Sequence, residues 1–299
     1  MKRNLEHVAL RGAVTVRMVS VLLAATLALS PVDVALSSPE QALGRAYAAY
    51  ASLSPIMAGS GLDMIEAERL QRALVLNLRP RWGEVVGYKA ALTAPAVRER
   101  FGVAAPVTGV LLENMFTTTG SVIDSALAVR PVLEADLLVR VGSEAINDAT
   151  TRGEVLAALS EVIPFIEIPD LMYDDEVALT GPDIVAINAG ARLGVVGEPV
   201  AIGGLDDALN RLAAFQVEVV DDGGRVVAEG EGTSLMGHPL DAALWLKNDL
   251  KRQGYRLKAG NLLSLGGMGP PVPIGGLERV TATYRGLGDR PLTIHVGFR

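Results

Sequence analysis

Cysteine is absent from all 299 residues, which removes disulfides, thiolate metal sites, iron–sulfur clusters and cysteine nucleophiles together. Histidine is nearly absent too. His7, His238 and His295 are the three in the chain, too few for a histidine-rich zinc site once His7 is set aside with the leader. Any metal must therefore sit on oxygen. Basic residues are in deficit, and the formal net charge of -7 lacks the positive footprint of a nucleic-acid binder. No apolar run is long and charge-free enough to span a bilayer. What is plentiful is core material: 49% of residues are hydrophobic and 20% charged, enough for one large core or two modest ones.

The N-terminus reads as a targeting segment. Lys2, Arg3, Arg11 and Arg17 precede an apolar or small stretch from Met18 to Leu29, and Ala35-Leu36-Ser37 places small residues before a cleavage point. Residues 1–37 are expected to be a signal peptide cut near Ser37/Ser38, which makes the mature protein periplasmic or secreted without a stable membrane anchor. The competing reading is an amphipathic or disordered extension on a cytoplasmic protein.

From Pro39 to about Leu78 the spacing predicts two helices, with Ala42, Ala46, Ala49 and Leu53 on one face of the first and Asp63 capping the second. Residues 38–85 are thus a helical N-terminal region, and 86–299 a larger β-rich domain. Strands are expected at 85–91, 130–141, 162–168, 191–196, 213–220, 225–231, 262–265 and 279–284. Helices fall at 94–101, 153–159, 205–212 and 239–253, with turns at 102–109 and Gly181-Pro182. Regular βαβ alternation is missing, which disfavours a doubly wound nucleotide fold. The fold class is α+β.

Chemistry is carried by acids. On a strand through Leu133-Glu134-Ala135-Asp136-Leu137, alternation sends Leu133, Ala135 and Leu137 to a core while Glu134 and Asp136 project together from the other face. Such a pair either lies on a half-solvated face or is neutralised by a hard cation such as Mg²⁺ or Mn²⁺. A third carboxylate, Glu167, interrupts the nearly continuous apolar run from Val162 to Ile168, the mark of a strand buried on both faces. An unpaired carboxylate there is costly. It requires a cation, a hydrogen-bond network or a raised pKa. If the core holds no metal, Glu167→Gln should stabilise the fold by relieving a buried charge. Lys89, alone on its strand, would by default be a surface lysine.

These strings, with Val86-Gly87-Tyr88-Lys89, Gly109-Val110-Leu111-Leu112, Arg130-Pro131, Gly237-His238-Pro239, Lys258-Ala259-Gly260 and Ser264-Leu265-Gly266, resemble the fumarylacetoacetate hydrolase superfamily. Within it they match the 2-oxo-4-pentenoate hydratase and 4-oxalocrotonate decarboxylase branch. The resemblance implies a mixed β-sandwich or roll, a homo-oligomer, and Mg²⁺ or Mn²⁺ held by Glu134, Asp136 and Glu167. It also implies Lys89 in the active site, and Asn188 and Ser264 beside the substrate. The family pattern has an aspartate near Glu113-Asn114, which makes Glu113 the second catalytic candidate. Three departures stand out: Asp136 replaces a glutamate, Ile187-Asn188-Ala189-Gly190 replaces Asp-Asn-Ala-Ser, and Asn261 replaces an aspartate.

The activity so implied is a metal-dependent lyase, hydratase or decarboxylase, acting on a small 2-oxo or 2-hydroxydienoic acid such as 2-hydroxypenta-2,4-dienoate, of the kind met in aromatic-ring degradation. The hydrolytic members use a histidine–glutamate dyad near the start of the domain. No histidine lies between His7 and His238, so hydrolysis is the weaker reading. His238, followed by Pro239, reads as helix-start chemistry. The alternative function is an exported 2-oxo acid binding protein with reduced or no turnover, because Ile187 and Gly190 remove a carboxylate and a hydroxyl.

Overall fold

Two capping boxes start the described part of the chain. Ser38 and Asp63 each accept a backbone N–H three residues on, and Gln41 and Glu66 return the bond. They launch α1 (Pro39–Ser52) and α2 (Met64–Trp82). The computed structural model describes residues 38–299; the leader expected at 1–37 lies outside them.

Beyond Gly83 the period changes to that of strands. A nine-stranded sheet contains β1 (Val85–Ala91), β2 (Val107–Leu112), β3 (Phe116–Thr118), β5 (Val132–Val141), β6 (Leu159–Ile168), β7 (Leu193–Val196), β8 (Val200–Ala201), β11 (Leu262–Ser264) and β12 (Val272–Pro273). Its main path runs β2-β1-β11-β5-β6-β7-β3. A five-stranded sheet comprises β4 (Val122–Ile123), β9 (Gln216–Asp221), β10 (Val226–Glu231), β13 (Arg279–Arg285) and β14 (Leu292–Phe298), in the order β10-β9-β13-β14-β4. The remaining helices are α3 (Pro95–Phe101), α4 (Arg152–Ala157), α5 (Gly181–Ala186), α6 (Ala208–Ala214) and α7 (Pro239–Arg252). This is the expected α+β fold with a helical N-terminal region.

The apolar residues form two cores. One joins the two sheets and α7, through Leu137, Val139, Ile166, Leu246 and Ile294 among others. The other lies under α1, α2 and α5, through Leu74, Leu112, Phe165 and Ile187. β5 and β6 contribute to both, so each is covered on both faces. The half-solvated face that was one reading of Glu134 and Asp136 fails for Asp136, which is 0% exposed, whereas Glu134 is half-buried and lines a cavity.

Several boundaries differ from expectation for local reasons. Gly181-Pro182 opens α5 rather than a turn, with the proline in the first turn, where its missing N–H costs nothing. β2 begins at Val107, inside the segment read as a turn. Leu159 starts β6 instead of ending a helix, and β14 was not anticipated. His238 does start a helix: its Nδ1 accepts the N–H of Leu240 at 3.0 Å, with Pro239 next.

Candidate active site

Strand order assembles the site. β1, β11, β5 and β6 are consecutive neighbours, and register pairs Lys89 with Ser264, Ser264 with Leu138, and Glu134 with Glu167. Four strands distant in sequence thus bring Lys89, Ser264, Glu134, Asp136 and Glu167 together. Two glutamates directly opposite each other on antiparallel strands repel. Here they do so in an interior, with Glu167 only 2% exposed. Burial, then the charge of Glu167, pushes the Glu134 carboxyl up to about 7, with Lys89 opposing. The same two causes raise Asp136, against the hydrogen bond from Ser264.

The cation that answers this charge is Lys89, itself 2% exposed. Its Nζ lies 2.5 Å from Glu167 Oε1 and donates to the Ala189 carbonyl at 3.1 Å. An ammonium has three donors, so one remains for a ligand. The acceptor carbonyl is set by an unusual turn: Asn188, Ala189 and Gly190 are all left-handed, at φ 58°, 52° and 68°. For alanine this costs about 1–2 kcal/mol, and such strain gathers where geometry matters to function. The Asn188 side chain holds the turn, accepting from Val110 N and donating to Val110 O, both at 2.8 Å. Its amide is therefore spent on the fold, and Asn188 is a positioning residue instead of the substrate contact expected of it.

Gly109 makes room for the lysine. A Cβ there would sit 2.7 Å from Lys89 Cγ and 3.0 Å from Ala189 Cβ. Gly109→Ala is expected to push Lys89 off the Ala189 carbonyl and to destabilise the fold by about 1–3 kcal/mol through overpacking. A denaturant midpoint unchanged from wild type would refute this.

Asp136 also departs from its expected role. Its Oδ1 accepts from the N–H groups of Leu137, Gly266 and Leu265 at 2.5, 3.0 and 3.2 Å, and its Oδ2 accepts the Ser264 hydroxyl at 2.6 Å. One methylene shorter than glutamate, it turns into this nest of donors. Ser264 correspondingly anchors Asp136 and is not itself free for substrate. Among the described residues, no group of three or more His, Asp or Glu side chains is placed to hold a metal ion. Of the three expected carboxylates, Glu134 and Glu167 face each other while Asp136 is turned into its donors. The facing pair fits a divalent cation: Glu167 Oε2 is buried without a hydrogen-bond partner, its Oε1 meets the Lys89 ammonium, and one ammonium does not balance two carboxylates.

Glu113 is not brought to the cluster. It is exposed on the turn after β2, packed against Gly83, four residues along from the Gly109 that faces Lys89. Strand pitch alone puts about 13 Å between those two backbones.

A cavity of about 530 Å³ opens above Lys89 and Glu134. Its walls include Leu92, Phe101, Leu171 and Ile184, and its rim Gly267 and Gly269. Gly267 is required for close approach, since a Cβ there would lie 2.7 Å from Glu134 Oε2. Neither Ile187 nor Gly190 lines the cavity. Ile187 is fully buried in the helical core, so these departures from the family pattern do not strip groups from its walls. Arg130 does line it, a residue that belongs to one of the sequence motifs above but had no role assigned from it; it sits in the bend just before β5.

Over 228 residues, 76% of this chain and 84% of the relative, the sequence is 30% identical to 4-oxalocrotonate decarboxylase of Pseudomonas putida. The 2-keto-4-pentenoate hydratase of Paraburkholderia phymatum is 32% identical over 215 residues, 71% of this chain and 79% of that protein. The chain belongs to the 2-keto-4-pentenoate hydratase and 4-oxalocrotonate decarboxylase family. No protein-family model matches it. The solved structure of 4-oxalocrotonate decarboxylase from Pseudomonas putida G7, complexed with magnesium and adipate, superposes with a TM-score of 0.75 at 26% identity, covering 88% of this chain and 99% of that one. A second structure of that enzyme, complexed with calcium and acetate, has a TM-score of 0.74. That decarboxylase thus binds divalent cations in the same fold.

Proposed function

We propose that this family member is a divalent-metal-dependent lyase acting on a short 2-oxo or 2-hydroxydienoic acid, by hydration or decarboxylation. One observation carries the reading: a buried lysine, paired with one of two facing glutamates, stands with the other glutamate at the wall of a cavity.

Glu134 and Glu167 would hold the cation, Mg²⁺ or Mn²⁺, which supplies positive charge where negative charge develops on the keto oxygen of the substrate. Lys89 would donate its free N–H to the substrate carboxylate, or deliver that proton to the adjacent carbon and, as the amine, take one back. Asp136, held by four donors, fixes the Ser264–Gly266 segment that leads into Gly267 at the cavity.

Purified protein with 2-hydroxypenta-2,4-dienoate and Mg²⁺ or Mn²⁺ tests this directly. Loss of the dienoate ultraviolet absorbance is expected. Saturable binding without that loss would exclude hydration, and with no CO₂ released from 4-oxalocrotonate as well it would favour the non-catalytic 2-oxo acid binder.

Export and homo-oligomerisation are carried forward as part of the same proposal. N-terminal sequencing of protein from the native host should begin at Ser38, and light scattering should give a mass above one chain. An intact Met1 in the cytoplasmic fraction would return the protein to ordinary ring-fission metabolism.

A further inference from the structure

We propose that Gln71 is a positioning residue for Lys89, which it sets from α2 through the two backbone segments that enclose the lysine stem. The inference rests on the function proposed above and deepens it.

β2 is an edge strand of the nine-stranded sheet, so its outward N–H and C=O groups need partners from outside the ladder. Side-chain amides supply them. Asn188 takes both groups of Val110, and Gln71 Nε2 donates to the Thr108 carbonyl at 2.6 Å and to Asn188 Oδ1 at 3.3 Å. Gln71 is 3% exposed, and a primary amide has two N–H donors. Both are used, one on each segment.

Thr108 precedes Gly109, and Asn188 precedes Ala189. Those two followers are what the lysine lies against: a Cβ on Gly109 would meet Lys89 Cγ at 2.7 Å and Ala189 Cβ at 3.0 Å, and the Ala189 carbonyl accepts from Nζ. The slot has no slack. Gln71 thus ties its two walls together one residue away from each contact. The wall formed by Asn188, Ala189 and Gly190 is also the strained one, with three successive left-handed residues, and such backbone keeps its shape only where the surroundings over-determine it.

Gln71 does not reach the substrate itself. It is absent from the lining of the cavity above Lys89 and borders two other clefts, with Gln253 at the end of α7. β2 keeps a second tie, from Thr108 Oγ1 to Asp249 Oδ2 at 2.6 Å. Losing the glutamine amide therefore loosens the slot without unfastening the strand.

Single-turnover assays of the full chain with Mg²⁺, following dienoate absorbance and CO₂ release from 4-oxalocrotonate, compare wild type, Gln71→Met, Lys89→Met and the double variant. Methionine keeps the length and removes both donors. Misplacing a reacting group by about 1 Å costs about 10²-fold, so Gln71→Met is expected to lower the rate at least tenfold. In the Lys89→Met background the same replacement should cost less than threefold, because no ammonium is left to misplace, and such non-additivity reports coupling. The thermal shift produced by Mg²⁺ should persist in Gln71→Met. A loss below tenfold in the wild-type background, a loss above threefold in Lys89→Met, or a vanished metal shift overturns the role of Gln71 and leaves the lyase reading intact. Circular dichroism checks folding, and Gln71→Leu takes the place of Gln71→Met if the latter does not fold. Failure of both to fold makes Gln71 a residue of the fold and overturns the positioning role. Absence of turnover of either substrate by wild type overturns the lyase reading and this one with it.

Discussion

Glu167→Gln is expected to destabilise the protein by about 3–5 kcal/mol in the absence of metal and to eliminate the thermal shift produced by Mg²⁺ or Mn²⁺. The first effect follows from the ion pair. Removing one partner takes from the buried Lys89 ammonium the carboxylate it touches, leaving only the more distant charges of Glu134 and Asp136, and breaking a buried pair costs that much. From sequence alone the same change is expected to stabilise a metal-free core, because nothing along the strand reveals that the lysine arrives from β1. The second effect follows from the Glu167 carboxylate, whose Oε2 is buried without a partner and which an amide replaces with a neutral group and a donor. Chemical denaturation of wild type, Glu167→Gln and the double variant Lys89→Met/Glu167→Gln separates the terms. The double variant leaves Glu134 and Asp136 without the lysine, so its stability relative to Glu167→Gln reads how readily those two raised carboxyls take up protons. A single variant as stable as wild type would mean that Lys89 and Glu167 do not pair in solution, and an unchanged metal shift would remove Glu167 from the metal site.

Lys89→Met should lower kcat/KM by about 10²–10⁴, the range for loss of a positioned proton donor or acceptor, while keeping the metal-induced thermal shift. Methionine fills much of the lysine volume, so packing against Gly109 and Ala189 is largely preserved. The charge is not. Three carboxylates then lack their one neighbouring cation, which destabilises the metal-free protein and makes added Mg²⁺ raise the melting temperature more than in wild type. The two variants thus part company: Glu167→Gln loses the metal response and Lys89→Met retains it. Activity in Lys89→Met within threefold of wild type would relegate the lysine to a structural counter-ion.

Periodicity determined much of this protein before any tertiary contact was considered. The capped helices α1 and α2, strand β1, the strands carrying Glu134 and Glu167, and the helix opened by His238-Pro239 all follow from local signals. So does the expectation that Glu167 needs a partner, because a carboxylate inside an apolar run cannot be left alone. Short range could not give the identity of that partner. Lys89 lies 78 positions away along the numbering and reaches Glu167 only because β11 and β5 intervene in the sheet between their two strands. Register likewise decided that Glu134 faces Glu167, and long-range closure decided that Glu113 does not join them. Asp136 marks the boundary most sharply. Its side chain was read as a ligand from its type and spacing, yet the donors that draw it inward belong to Ser264, Leu265 and Gly266, on a segment that only the folded sheet places beside it. Local sequence sets which way a side chain leaves its own backbone, whereas what it meets is a property of the strands packed against it.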